Sequence, residues 1–294
     1  MFERWGRSWE LVKASWAVLR SDKELVIFPI ISAIGCFLVS VTFFLPMLAT
    51  GTFTNVSTRG LNIGQMIILF LFYLATYTVI IFCSSALVGA AVIRLDGGNP
   101  TLADGFNVAK SRLPQILGYA LISATVGLVL QLLSNAARNN RNIVLAIIGQ
   151  IVVGIAGAAW SIATFLAVPV LVIEGVGPIE AVKRSTALLK KTWGEQIIGD
   201  LSIGGIFGLM TFGVILLAML LGFLFANTPA LLILVIILAI VAVTAISIVG
   251  SALNAIFRVA LYRYAHDGKT SEFFQTEMIQ SAFKADTPKK GIFS

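Results

Sequence analysis

The chain has 294 residues and a formal net charge of +7; 58% of its residues are hydrophobic and only 12% are charged. Soluble domains carry about 25% charged residues, so this composition excludes an ordinary water-soluble globular protein. The basic residues gather beside apolar runs rather than in one polar domain, which argues against nucleic acid as a partner.

Six apolar runs reach the ~20 residues that a helix needs to cross a bilayer. We therefore predict an all-α, polytopic membrane protein with six transmembrane helices. The runs lie near residues 25–49, 64–93, 114–134, 143–173, 196–226 and 230–264.

An even number of spans places both termini on one side of the membrane. All but three of the 21 basic residues then fall on that side, and the exceptions are Arg59, Arg138 and Arg141. Because positive loops stay in the cytoplasm, we predict a multi-pass protein of the cytoplasmic membrane with cytoplasmic N- and C-termini. The first span is read as an uncleaved anchor.

The segment before the first span has the periodicity of an amphipathic helix. Its aromatic and aliphatic residues recur every three or four positions, and basic residues take the remaining surface. Such a helix suits the headgroup region of an anionic leaflet; the alternative is that the tryptophans pack against the protein's own spans. The stripe is Phe2, Trp5, Trp9, Val12, Trp16 and Leu19, and the basic residues are Arg4, Arg7, Lys13 and Arg20.

The second span carries Ser85 and Gly89, a small-residue spacing that lets helices approach closely. It ends at Asp96-Gly97, where a glycine stop and a local Arg94–Asp96 contact are expected. Thr101 and Asp104 then resemble a capping pair that opens a second amphipathic stripe. That stripe comprises Leu102, Phe106, Ala109 and Leu113, with Arg112 as a further candidate lipid contact.

The fourth span ends at Glu174-Gly175, and Pro178 suits the first turn of a third amphipathic helix. Its stripe is Ile179, Val182, Thr186, Leu189 and Trp193, with Lys190 and Lys191 as candidate lipid contacts. A weaker stripe, Phe274, Met278 and Ala282, predicts a short amphipathic helix in a cytoplasmic tail over residues 269–294.

These junctions recur, which predicts an internal repeat. Without gaps, residues 8–35, 100–127 and 178–205 correspond, and Ser15, Asn107 and Ser185 coincide. We predict one membrane domain over residues 1–268, built from three helix-hairpin repeats that are each led in by an interfacial helix. The repeats run from about 2–97, 98–175 and 176–268.

Two stretches also carry a family resemblance, LADGFNVAKSRLPQILGYALISATVGL and PVLVIEGVGPIEAVKRSTALLKKTWGEQIIGD. They resemble an uncharacterised bacterial family of six-span proteins that is similar to the membrane domain of glycerophosphodiester phosphodiesterases. The resemblance implies a six-helix fold in a bacterial inner membrane. It implies no catalytic residue, because the phosphodiesterase chemistry belongs to a separate soluble domain.

Asp200 and Arg258 fall inside the fifth and sixth spans, about 10 Å from the cytoplasmic boundary at ~1.5 Å per residue. Charges at such depth are costly unless they are paired or face a polar cavity. We predict that the two form an ion pair between adjacent helices beside a cytoplasm-facing cavity. The alternatives are a purely structural pair or side chains that reach up to the interface.

Nothing in the sequence indicates catalysis, a cofactor or a metal site. A phosphate-binding glycine loop, a nucleophile elbow and a metalloprotease helix are missing, and His266 is the only histidine. Cys36 and Cys83 lie inside spans and are expected to pack rather than to form a disulfide. We expect a non-catalytic membrane module that engages anionic lipid or membrane partners, including other copies of itself. One alternative is a transporter or channel, for which a wet cavity or a discontinuous span is expected. The other is a membrane-embedded enzyme.

Overall fold

The computed structural model describes residues 2–49, 63–139, 142–193, 202–276 and 279. Within these residues every regular element is helical. Six helices are long and apolar enough to cross a membrane, which confirms the predicted all-α class and the number of spans. They are Lys23–Pro46, Ile63–Leu95, Leu113–Arg138, Ile143–Glu174, Gly204–Leu224 and Pro229–Asp267.

Along the described chain each amphipathic helix is followed by two long apolar helices. A 3₁₀ turn at Lys23–Val26 joins the first amphipathic helix to the first span. The helices are α1 (Phe2–Ser21), α2 (Ile27–Ala49), α3 (Ile63–Leu95), α4 (Leu102–Ser111), α5 (Leu113–Arg138), α6 (Ile143–Ala163), α7 (Ala167–Glu174), α8 (Pro178–Trp193), α9 (Ser202–Leu224) and α10 (Pro229–Asp267).

Three of the long helical segments end at a left-handed glycine that follows an acidic residue. Gly97, Gly175 and Gly268 have φ of 86°, 68° and 68°, and among the described residues only these three have a positive φ. The amide of Gly175 donates to the carbonyl of Leu171, as expected of a helix that closes in the left-handed conformation. The predicted glycine stops are confirmed.

The start of α4 follows the predicted capping pair. Thr101 Oγ1 accepts from the amide of Asp104, and the Asp104 carboxylate accepts from the amide of Thr101 at 2.9 Å and from its hydroxyl at 2.7 Å. The hydrogen bonds from Thr101 hold the pKa of Asp104 below its usual value. This reciprocal arrangement fixes where α4 begins.

The fourth span is broken between α6 and α7. Pro169 lacks an amide hydrogen and cannot donate to the carbonyl of Phe165, which favours a kink or a break at this point. The chain makes a turn at Thr164–Leu166 instead, with the amide of Ala167 donating to the carbonyl of Thr164 at 3.0 Å. The predicted fourth span near residues 143–173 corresponds to Ile143–Glu174, and the structure adds a turn at Thr164–Leu166 within it.

The described residues cluster into two compact units. One comprises Met1–Pro29, Ala91–Pro100 and Leu188–Ser294, and includes α1, α9 and α10. The other comprises Ile30–Ala90 and Thr101–Ala187. The single domain over residues 1–268 and the three repeat boundaries remain predictions.

In α3, α5 and α10 the buried side chains lie toward one end of the helix. In α3 they fall between Ile81 and Leu95 apart from Gln65, and in α10 between Gly250 and Ala265. In α5 they fall between Ile116 and Ala124. The remaining lengths expose large apolar side chains such as Phe223 and Ile155, an arrangement suited to lipid and unfavourable in water.

Candidate functional site at the amphipathic helices

One face of α1 combines tryptophan and basic side chains. Trp9, Lys13, Trp16 and Arg20 are spaced by four, three and four residues, so they fall within about 60° of one another around a helix of 3.6 residues per turn. All four are exposed, Trp9 at 49% and Trp16 at 48%. We call these four residues the tryptophan–cation stripe.

A second face of α1 packs against the protein. α1 contacts α9 and α10 through a face whose members are at most 7% exposed. The expectation that tryptophan and cations occupy separate faces is therefore wrong for these four residues. The expectation that Trp9 and Trp16 share a face with Val12 and Leu19 is wrong as well. The buried face is Leu11, Val12, Ala14, Ser15, Val18 and Leu19.

Several candidate lipid contacts have no described side chain. Arg4, Trp5 and Arg7 lie in α1 and Trp193 is the last residue of α8, but only their backbone belongs to the described structure. Lys190 and Lys191 lie in the last turn of α8 and are exposed.

The amphipathic helix α4 packs on the second span. The rings of Phe82 and Phe106 stack with centroids 6.0 Å apart. A Cβ at Gly89 would lie 2.8 Å from Val108, so glycine permits the close approach of α3 and α4. The small residues Ser85 and Gly89 of α3 therefore lie where the amphipathic helix α4 packs.

The amphipathic helix α8 packs on the broken fourth span. Ser185 Oγ accepts from the amide of Leu166 at 3.0 Å. Thr186 Oγ1 donates to the carbonyl of Val182 at 2.9 Å and lies 3.4 Å from the carbonyl oxygen of Ala163. Arg184 forms ion pairs with Glu174 and Glu180. The buried face is Ala181, Ser185 and Leu189, while Ile179 and Thr186 of the predicted stripe are exposed.

Arg112 is directed at the protein itself. Its Nε donates to the carbonyl of Val172 at 3.2 Å, and its guanidinium lies over Gly175. Gln115 Nε2 donates to the carbonyl of Gly175 at 3.4 Å. The two side chains bind the carbonyl end of α7, so the structure gives Arg112 a role at this helix end besides the predicted lipid contact.

A second arginine joins the start of the first span to the end of the second. Arg94 Nε donates to Ser21 Oγ at 3.1 Å and Arg94 Nη1 donates to the carbonyl of Gly98 at 3.2 Å. Asp96 forms its ion pair with Arg263 of α10. The expected local contact between Arg94 and Asp96 is replaced by these two longer-range links.

Asp22 is a buried carboxylate beside this group. It is 6% exposed; its Oδ1 accepts from the amide of Glu24 at 3.2 Å, and its Oδ2 makes no hydrogen bond to any described residue. Burial raises the pKa of Asp22, and the amide of Glu24 and the charge of Arg94 only partly oppose this. The protonated form is therefore favoured in the folded protein relative to the unfolded chain.

We expect Asp22→Asn to raise the melting temperature at pH 7 by a few degrees. Asparagine keeps the cap for the Glu24 amide and carries no buried charge. For a carboxyl with a raised pKa, the stabilisation is present at low pH and is lost as the pH rises through the folded value. The gain from Asp22→Asn should therefore shrink as the pH is lowered toward 4 in thermal unfolding scans.

The matched control is Asp104→Asn, because the pKa of Asp104 is shifted in the opposite direction. That variant should lose stability at pH 7 and approach the parent at low pH. A loss of stability at pH 7 in Asp22→Asn would contradict the assignment.

The predicted intramembrane pair is only half described. Asp200 lies outside the described residues, and Arg258 is half-buried in α10. Nearby, a Cβ at Gly204 of α9 would lie 3.8 Å from Asn254 Nδ2. Gln150 Nε2 donates to the carbonyl of Ser134 at 2.7 Å and so joins α5 to α6.

The described part of the chain holds no group of histidine, cysteine and acidic side chains that fits a metal ion. Cys36 and Cys83 are both free thiols, as expected. The amphipathic helices α1 and α8 bury one face in the protein and expose basic side chains on another, and α1 also exposes two indole rings.

The profile of a family of unknown function (DUF6159) matches residues 63–273, which is more than half of the chain. No curated protein matches this chain.

Proposed function

The chain belongs to DUF6159, a family of unknown function, and we propose that it acts as a non-catalytic membrane module whose amphipathic helices engage anionic lipid. The observation that carries this proposal is the tryptophan–cation stripe, exposed on a helix whose other face is buried. Indole rings favour the headgroup region, where a nearby cation is attracted to anionic lipid by about 1 kcal/mol.

The orientation and the membrane are part of the same proposal. The asymmetry of basic residues supports cytoplasmic termini and an anionic inner leaflet. The resemblance to bacterial six-span proteins and to the membrane domain of glycerophosphodiester phosphodiesterases supports a bacterial inner membrane. Membrane-protein partners, including a second copy of this chain, would meet the same amphipathic surface.

Transport of a small solute, ion or lipid is the second candidate, and the break in the fourth span favours it. Discontinuous spans are typical of transporters, where freed backbone groups bind the cargo. Here Ser185 of α8 accepts from the amide of Leu166, and Thr186 Oγ1 lies 3.4 Å from the carbonyl oxygen of Ala163. Flux into proteoliposomes that is lost in Asp200→Asn would favour transport over the lipid module.

The lipid proposal is tested by removing both charges of the stripe. We expect the double substitution Lys13→Gln with Arg20→Gln to reduce the preference for phosphatidylglycerol over phosphatidylcholine by up to roughly 30-fold, since two cations contribute about 1 kcal/mol each. Association of spin-labelled lipids with the protein in liposomes measures this preference. The effect should weaken at high salt.

The control exchanges the charges, Lys13→Arg with Arg20→Lys, and should retain the preference. An unchanged preference in the glutamine variant, with the protein still folded, would overturn the proposal.

A further inference from the structure

We infer that the edge of the hydrocarbon layer on the side of the amphipathic helices crosses the chain at the break between α6 and α7. On this placement α6 alone spans the hydrocarbon, and α7 lies beyond it within a protein core that meets the headgroups. The inference is independent of the proposed function, because it concerns depth and not lipid charge.

The first step is that α8 and the break lie at one level. Ser185 Oγ accepts from the amide of Leu166 at 3.0 Å, and Thr186 Oγ1 lies 3.4 Å from the carbonyl oxygen of Ala163. Any depth assigned to Ala163 therefore applies to the middle of α8.

The second step is that exposed cations flank this contact on both sides along α8. Lys183 and Arg184 precede it, and Lys190 and Lys191 follow it. At 1.5 Å per residue, Lys183 lies about 5 Å before Thr186 and Lys190 about 6 Å beyond it. The cations stay close to the contact whichever way α8 is inclined to the membrane.

These distances decide between two placements. If the hydrocarbon ended at Glu174, Ala163 would lie near the bilayer centre, about 15 Å from the edge. At least one pair of exposed cations on α8 would then lie close to 10 Å or more inside hydrocarbon, which is strongly unfavourable. With the edge at the break, all four basic side chains reach the headgroup region.

The third step is length and burial. α6 has 21 residues, which extend about 31 Å and match the ~30 Å hydrocarbon layer without α7. None of its residues is buried, whereas Ala167 and Pro169 through Val172 of α7 are all buried. The chain therefore passes at the break from a segment without buried residues to one whose residues are mostly buried.

A second helix pair leads to the same level. Val108 of α4 packs on Gly89 of α3, and the exposed Lys110 follows two residues later. Gly89 precedes the left-handed Gly97 by eight residues, much as Leu166 precedes Gly175 by nine.

Site-directed spin labelling in phosphatidylcholine liposomes tests the placement. Single cysteines at the exposed positions Ile155, Ile162 and Ile173, with Cys36 and Cys83 replaced by alanine, are compared by their accessibility to oxygen and to a water-soluble nickel complex. We expect the label at 155 to lie deepest, the label at 162 to lie near the edge, and the label at 173 to be open to nickel.

The inference is overturned if the label at 162 shows the greatest depth, near the bilayer centre. Labels at the exposed Ile151 and Ser161 give the same comparison if a label at 155 or 162 prevents folding. Loss of the lipid preference in the stripe variant with unchanged label depths would separate the two proposals.

Discussion

Gly175→Ala is expected to destabilise the protein by about 3 kcal/mol. A residue with a Cβ loses about 1 kcal/mol in the left-handed conformation that Gly175 adopts. The new Cβ would also lie 2.5 Å from Arg112 Nη1, so the guanidinium must shift. We expect this shift to break its hydrogen bond to the carbonyl of Val172. Losing a hydrogen bond to a charged group adds about 2 kcal/mol.

Gly268→Ala is the matched control, because Gly268 has the same φ of 68° and a Cβ added there would meet no atom within 4 Å. Only the conformational term applies, so the loss should be about 1 kcal/mol. Denaturation with SDS in mixed micelles measures both variants. Equal losses would contradict the role assigned to Arg112 at the end of α7.

Ser185→Ala is expected to cost about 2 kcal/mol. Its hydroxyl is 0% exposed and is the acceptor for the amide of Leu166, which the break in the fourth span leaves without a helical partner. Alanine leaves this buried amide unsatisfied, and such groups cost about 1–3 kcal/mol. The same SDS titration measures the change.

Ser15→Ala is the control: it also removes a buried serine hydroxyl, but a different effect on stability is expected. Ser15 aligns with Ser185, is also 0% exposed, and its hydroxyl makes no hydrogen bond to a described residue. Removing an unsatisfied hydroxyl should leave stability unchanged or increase it. A comparable loss in both variants would indicate that side-chain packing, and not the Leu166 amide, determines the effect.

Features encoded by neighbouring residues could be read from the sequence. The six spans follow from apolar length, the glycine stops from acid-glycine pairs, and the start of α4 from Thr101 and Asp104. Each depends on contacts within a few residues, where backbone geometry leaves few alternatives.

Features that need distant residues could not. The ion pair of Asp96 joins it to Arg263, 167 positions away, so the nearby Arg94 was the wrong partner. Pro169 is visible in the sequence, but only the position of α8 reveals that Ser185 binds the freed amide. The contact of Arg112 with Val172 likewise requires two helices to meet.

The error in α1 has a different cause. The stripe of Phe2, Trp5, Trp9, Val12, Trp16 and Leu19 follows helical spacing, but that spacing tolerates drift around the helix. Val12 and Leu19 fall toward the buried side, whereas Lys13 and Arg20 fall beside Trp9 and Trp16. The angular position of each residue around a helix of 3.6 residues per turn separates the buried face of α1 from the tryptophan–cation stripe.

The internal repeat stays a prediction, with which the burial of α1, α4 and α8 can be compared. Leu11, Ser15 and Leu19 of α1 align with Ala181, Ser185 and Leu189 of α8, and all six side chains are at most 4% exposed. In α4 the buried positions are Gly105 and Ala109, while Asn107, which the ungapped alignment matches to both serines, is exposed. An alignment shifted by two residues would suit α4 better.

The proposed function requires that α1 holds its tryptophan–cation stripe against anionic headgroups. The most direct measurement is tryptophan fluorescence in liposomes with brominated lipids, using a variant in which Trp5, Trp160 and Trp193 are phenylalanine. We predict strong quenching of Trp9 and Trp16 by shallow bromines, and stronger quenching by brominated phosphatidylglycerol than by brominated phosphatidylcholine. Fluorescence that neither lipid quenches would contradict this position of α1.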